Sequence, residues 1–166
     1  MIIRQHKQTG FTLIELVMVI VIIGLLSYGA ASLYSSRDGY AGFIAKDQLI
    51  SNGLLAQQIA LGMSGVTTSV TLEVALDNAG DWVFTLRKEN QETKVTSQAS
   101  SGGSLVIDGV TISTSSPAQI FTWNTEGSLT APDNVNHAIS FINDNTYRVC
   151  ISSSGYTYFS ATVCPS

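Results

Sequence analysis

Three regimes of hydropathy follow one another along the chain. From Leu16 to Ser36, 21 consecutive residues carry no charge, and the stretch opens with an unbroken aliphatic run to Ile23. At about 1.5 Å rise per residue, a helix of that length crosses a hydrocarbon core of about 30 Å. Its Val, Ile and Leu residues cover every side, so it needs lipid or like helices all round. Beyond Arg37 the pattern becomes amphipathic: Phe43, Ile50, Leu54 and Leu61 fall on one stripe, with Lys46, Gln48, Asn52 and Gln57 largely away from it. This predicts a helix that packs the stripe on a sheet and ends near Gly62, Gly65 and Thr67-Thr68. Gly39 and Gly42 either soften the junction between the two helical regimes or permit close packing.

The third regime has a period of two. Val70, Leu72, Val74 and Leu76 alternate with Thr71, Glu73 and Ala75. After the turn Asp77-Asn78-Ala79-Gly80, residues Trp82, Phe84 and Leu86 alternate with Val83, Thr85 and Arg87, which predicts a hairpin. A second hairpin joins Leu105–Ile107 to Val110–Ile112 through Asp108-Gly109, a pair suited to positive φ at both central positions. Further strands are expected at Ile120–Trp123, Ala138–Ile142, Tyr147–Ser152 and Tyr156–Ala161, whereas Lys88–Ser104 reads as an exposed loop. The expected fold class is α+β: a long N-terminal helix, its first half in a membrane, packed by its second half on an antiparallel β-sheet head. The expected segments are 1–10, 11–36, 37–63 and 64–166.

Composition sharpens this division. Of 37 Ser and Thr residues, thirty lie at or after Ser64, so the β-rich part faces water. Eight basic and twelve acidic side chains leave a net charge of -4, which repels phosphate backbones and argues against nucleic acid as a partner. Arg148 is the only cationic side chain after Lys94. Two cysteines exclude a disulfide-dense scaffold and a four-thiolate zinc site.

The leader Met1–Gly10 holds Arg4, His6 and Lys7. Basic residues beside a span hold that flank in the cytoplasm, which directs the head outward. The apolar stretch is too long for an ordinary secretory signal and lacks a clean small-x-small cleavage site. Glu15, at its edge, is an anomaly, because a carboxylate in hydrocarbon costs about 2.5 kcal/mol or more.

Gly10-Phe11-Thr12-Leu13-Ile14-Glu15, followed by Leu16-Val17 and the long apolar run, resembles the processing site of type IV prepilins, the precursors of type IV pili and type II secretion pseudopili. The resemblance implies that prepilin peptidase cuts between Gly10 and Phe11 and N-methylates Phe11, retaining the apolar segment. Loss of Arg4 and Lys7 leaves 6 basic and 12 acidic side chains, a balance of -6 before the termini are counted. In this family the acidic residue pairs with the new amino terminus of a neighbouring subunit. Opposite charges attract strongly in a low-dielectric bundle, and either alone is costly there, so the pair favours one axial register. Glu15 is thus the expected assembly residue. The implied partners are the peptidase, other pilin or pseudopilin subunits, and the inner membrane with its assembly platform. The implied location is a single-pass inner-membrane protein with a periplasmic head, then a filament.

Many family members carry a proline late in the apolar segment; this chain has none before Pro117, and the corresponding place is near Ser32, which predicts a straighter helix. The order of a long helix, a strand, a Trp-led strand and late hairpins is similar to the H-type minor pseudopilins and to minor subunits of the mannose-sensitive haemagglutinin pilus. Such subunits are implied to sit near the filament tip and prime assembly; a major subunit is the other reading within the family.

Cys150 and Cys164 lie fourteen residues apart around the last hairpin. In an oxidising compartment a bridge there contributes roughly 3 kcal/mol by loop closure; two separate buried thiols are the alternative. No cofactor, metal centre or catalytic group is expected. His137 has Asp133 nearby but no nucleophile elbow or metal-spaced partner, and reads as a turn histidine. Asp77, Asn78 and Asp81 offer oxygens without a calcium-loop pattern, and read as a hairpin turn. Two functions remain: a filament subunit, or a permanently anchored extracytoplasmic binding domain such as an adhesin or receptor.

Overall fold

The computed structural model describes residues 12–34, 40–63, 69–89, 91–100 and 102–165. The chain divides into two compact units, Met1–Arg37 and Asp38–Ser166.

The first unit contains helix α1, Leu13–Tyr34, which runs through Ser32 without interruption. Its aliphatic side chains from Leu13 to Leu26 are exposed on every side. Among the described residues no helix is long and apolar enough to cross a membrane. The side chains of α1 are described only as far as Ser27, so much of the expected span 11–36 lies outside them.

The second unit is α+β. Helix α2, Ala41–Leu61, with its C-cap at Gly62, precedes ten strands: β1 Val70–Leu76, β2 Trp82–Lys88, β3 Gln91–Gln98, β4 Ser104–Ile107, β5 Val110–Ile112, β6 Gln119–Trp123, β7 Leu129–Ala131, β8 His137–Ile142, β9 Thr146–Ile151 and β10 Thr157–Ser160. They form two five-stranded sheets, ordered β3-β2-β1-β6-β7 and β10-β9-β8-β4-β5, and every pairing is antiparallel.

Both predicted hairpins form. β1 pairs with β2 from Val70 opposite Lys88 to Leu76 opposite Trp82. The turn after β1 is held by Asp77, whose Oδ1 accepts from the Ala79 and Asp81 amides at 2.9 and 2.8 Å. Between β4 and β5, Asp108 and Gly109 have φ of 50° and 81°, as a two-residue turn of that type demands.

The core lies between the two sheets and under α2. Trp82, Phe84, Phe121, Trp123 and Phe141 are fully buried, and Phe141 joins the sheets through ring contacts of 5.0 Å with Trp82 and 5.8 Å with Phe84. The Trp123 indole N–H donates to the Gly155 carbonyl at 2.8 Å, which ties the β6 strand to the β9–β10 turn.

Two expectations are corrected. Lys88–Ser104 is not a loop, because β3 occupies Gln91–Gln98 and pairs along β2. An edge strand needs only backbone partners on one side, so it forms here from mainly polar residues without an apolar alternation. The stripe of α2 was also misassigned. Ala45, Leu49, Asn52, Ala56 and Ala60 are buried, whereas Phe43 and Leu61 are exposed. At 3.6 residues per turn, the buried set is centred roughly 140° from the Phe43–Leu61 stripe. Small residues let the helix backbone approach the sheets. A Cβ on Gly42 would lie 2.9 Å from the Tyr147 ring, and one on Gly53 would collide with Thr157. Close packing is therefore the role of Gly42, while Gly39 lies outside the described residues.

Candidate assembly site

Of the predicted processing and assembly residues, Gly10 and Phe11 fall outside the described residues, and Glu15 stands in the first turn of α1. Thr12 precedes the helix, and the two side chains satisfy each other's backbone. The Glu15 carboxylate, through Oε2, accepts from the Thr12 amide at 3.1 Å and from its hydroxyl at 3.2 Å. The Glu15 amide faces the Thr12 hydroxyl oxygen at 3.3 Å.

This is a capping box: each side chain accepts from the other residue's backbone amide, and the Glu15 amide is shared with the Thr12 carbonyl at 3.1 Å. The negative charge also sits where the helix dipole favours it. Thr12 was missed as a site residue, although the Thr-x-x-Glu spacing that announces such a cap is plain in Thr12-Leu13-Ile14-Glu15.

Chemically, the cap holds one carboxylate oxygen against Thr12 and leaves Oε1 without a hydrogen-bond partner among the described residues. An ammonium group approaching the start of α1 meets a preoriented acceptor. More than three turns further along α1, the Ser27 hydroxyl donates to the Ile23 carbonyl at 2.8 Å, which satisfies a polar side chain within the helix itself.

The other candidate residues sit in the head. Cys150, on β9, is disulfide-bonded to Cys164, with Cα atoms 5.7 Å apart, so the expected bridge is present. His137 is not a turn residue. It opens β8, is buried, and packs edge-on to Phe121 at 5.4 Å. Its Nδ1 lies 2.7 Å from Asp108 Oδ2, and its Nε2 lies 3.0 Å from Asp133 Oδ1 without the alignment of a hydrogen bond. Asp108 also accepts from the Ala138 amide at 2.7 Å. A nucleophilic triad needs one imidazole nitrogen on a carboxylate and the other on a hydroxyl or thiol. Here both face carboxylates, so the imidazole links the β4–β5 turn to the Asp133 loop. Only the tertiary fold brings Asp108 to His137, from 29 positions away.

Asp77 and Asp81 serve the hairpin turn expected there. Asp77 caps its turn, and Asp81 Oδ1 faces the Ser100 amide at 3.3 Å.

Residues 5–31 match the family model described as the prokaryotic N-terminal methylation motif. No curated protein and no solved structure shows significant similarity to the chain. The match covers the residues that carry the sequence resemblance, with Glu15 and its cap inside it. Residues 5–31 therefore bear the prepilin signature of type IV pilins and pseudopilins, a signature that implies processing by prepilin peptidase and assembly with other pilin subunits.

Proposed function

We propose that this chain is a minor pilin or pseudopilin, cut between Gly10 and Phe11, N-methylated at Phe11, and assembled into a filament through its N-terminal helix and Glu15. Before assembly residues 11–36 anchor it in the inner membrane with residues 64–166 in the periplasm; afterwards the same segment lies in the filament core. The observation that carries this reading is the capped Glu15 at the start of an all-round apolar helix, within the methylation motif.

The physics is consistent throughout. An isolated carboxylate among hydrocarbon is costly, and one that already accepts two hydrogen bonds needs only a cation to become favourable there. The amine created at Phe11 is such a cation, and in the family that the motif resembles it is the amine of an adjacent protomer that pairs with this carboxylate. Aliphatic surface on every side of α1 suits both lipid and a bundle of like helices, and the backbone is satisfied in both.

Mass spectrometry of the protein recovered from cells tests the first step: the mature chain should begin at N-methylated Phe11, and retention of the first ten residues would exclude this reading. For the second step, Glu15→Ala should enter the membrane normally but be lost from sheared filaments. Incorporation at the normal level would instead favour an anchored binding domain.

A further inference from the structure

The second sheet carries a groove of about 460 Å³ on the face turned away from α2. Its floor is set by strand register. Arg148 on β9, Ser140 on β8 and Val106 on β4 lie side by side in one cross-strand row of the floor. One wall is the C-terminal tail through Val163, Cys164 and Pro165. The Cys150–Cys164 disulfide fastens this tail to the floor, and the Asn136 side-chain amide donates to the Pro165 carbonyl at 2.7 Å. The wall is thus built and braced, while Ile142 and Val106 supply apolar surface opposite.

Arg148 is the unusual member of this row. Beyond Lys94 it is the only Lys or Arg, against four carboxylates at Asp108, Glu126, Asp133 and Asp144. No ion pair joins it to any of them among the described residues. Its single hydrogen-bond partner there is the Ser140 hydroxyl, at 3.4 Å from Nε. The nearest groove carboxylate in the strand pattern is Asp108, two residues beyond Val106 and so about 7 Å along the strand. Asp108 is already held by His137 and the Ala138 amide. A guanidinium whose fork is unspent among the described residues, in a groove with hydroxyls beside it and apolar walls, has the donor geometry to take a planar carboxylate.

We propose that this groove is a binding site for a carboxylate borne on a small apolar body. The carboxylate seats on Arg148 with the Ser140 hydroxyl beside it, and the apolar part lies against Val106, Ile142 and the Val163–Pro165 wall. Asp108 repels the charge from the other end and so orients the ligand. This site goes beyond filament assembly and does not depend on Glu15.

The test uses the full chain in neutral detergent, with benzoate as probe, benzamide as its uncharged isostere, and inorganic phosphate as a tetrahedral anion. Benzoate should produce saturable NMR shifts at the Arg148 side-chain N–H and at the Val106, Ala138 and Val163 amides. Benzamide should bind at least tenfold more weakly, and Arg148→Gln should weaken benzoate at least tenfold while leaving the remaining amide spectrum and the disulfide unchanged. Equal binding of benzamide, tighter binding of phosphate, no saturable shift, or shifts that survive Arg148→Gln would each overturn the proposal. As a second variant, Arg148→Lys keeps the charge but not the planar fork and should retain only part of the affinity; full retention would also count against the bidentate seat.

Discussion

The two helices solve opposite packing problems with similar lengths. α1 turns large aliphatic side chains outward on all sides, and its Gly24 has nothing within 4 Å of where a Cβ would stand. α2 buries Ala45, Ala56 and Ala60 completely or nearly so, and presses Gly42 and Gly53 against side chains of the second sheet. Hydrophobicity alone therefore does not say which face of a helix is covered. A helix that must sit close to a sheet buries its smallest residues, and one that must be soluble in lipid or among its copies displays its largest. In this chain, the first is specified by shape and the second by area.

Six variants would break or sharpen that contrast. The largest effect is expected in the shared core of the head: Phe141→Ala, which empties a fully buried site between the sheets, should cost about 3–5 kcal/mol in head unfolding. Ile20→Ala, of comparable hydrophobic loss on exposed α1, should leave head unfolding unchanged, as followed by tryptophan fluorescence during denaturant titration. Removing the Cys150–Cys164 bridge by paired serine substitution should cost about 3 kcal/mol and make the C-terminal tail sensitive to protease. Next come the glycines. Gly53→Ala should destabilise the head by about 1–3 kcal/mol because Thr157 occupies the space, whereas Gly24→Ala should raise the helicity of α1, with a gain of up to about 1 kcal/mol. Thermal melts and circular dichroism in detergent distinguish the two directions. The smallest change is expected on the outer face of α2, where Ile44→Gln should alter head stability by no more than about 0.5 kcal/mol. A loss above about 1 kcal/mol there would mean that Ile44 carries packing within the monomer after all.

Much of the head was legible wherever one face of a strand is buried and the other wet. The alternation from Val70 to Leu76 and from Trp82 to Leu86 set the first hairpin, and Asp108-Gly109 announced the second by its need for positive φ. β3 escaped because Gln91, Glu92, Thr93 and Lys94 owe their place to backbone pairing with β2, which leaves no mark in hydropathy. Its one deep tie is from the buried Asn52 side chain, which donates to the Thr96 hydroxyl at 2.6 Å across 44 positions. Asn52, placed by its polarity on the solvent side, is instead among the most buried residues of α2. At the candidate site the spacing of Thr12 and Glu15 specifies the cap within one turn, yet Thr12 went unread because Glu15 was weighed only as a charge beside the apolar run.

Local physics thus determined from sequence the all-round apolar helix, the capped carboxylate at its start, the hairpins with obligate turns and the pair of cysteines able to bridge. Each depends on neighbours a few positions away or on a single periodicity. The tertiary structure decided which face of α2 is covered, that a polar segment becomes an edge strand, that His137 lies between Asp108 and Asp133, and that Arg148 faces a groove walled by the disulfide-bound tail. These depend on which distant surfaces fit closely enough to exclude water, and shape complementarity of that kind is a property of the assembled layers rather than of any one segment.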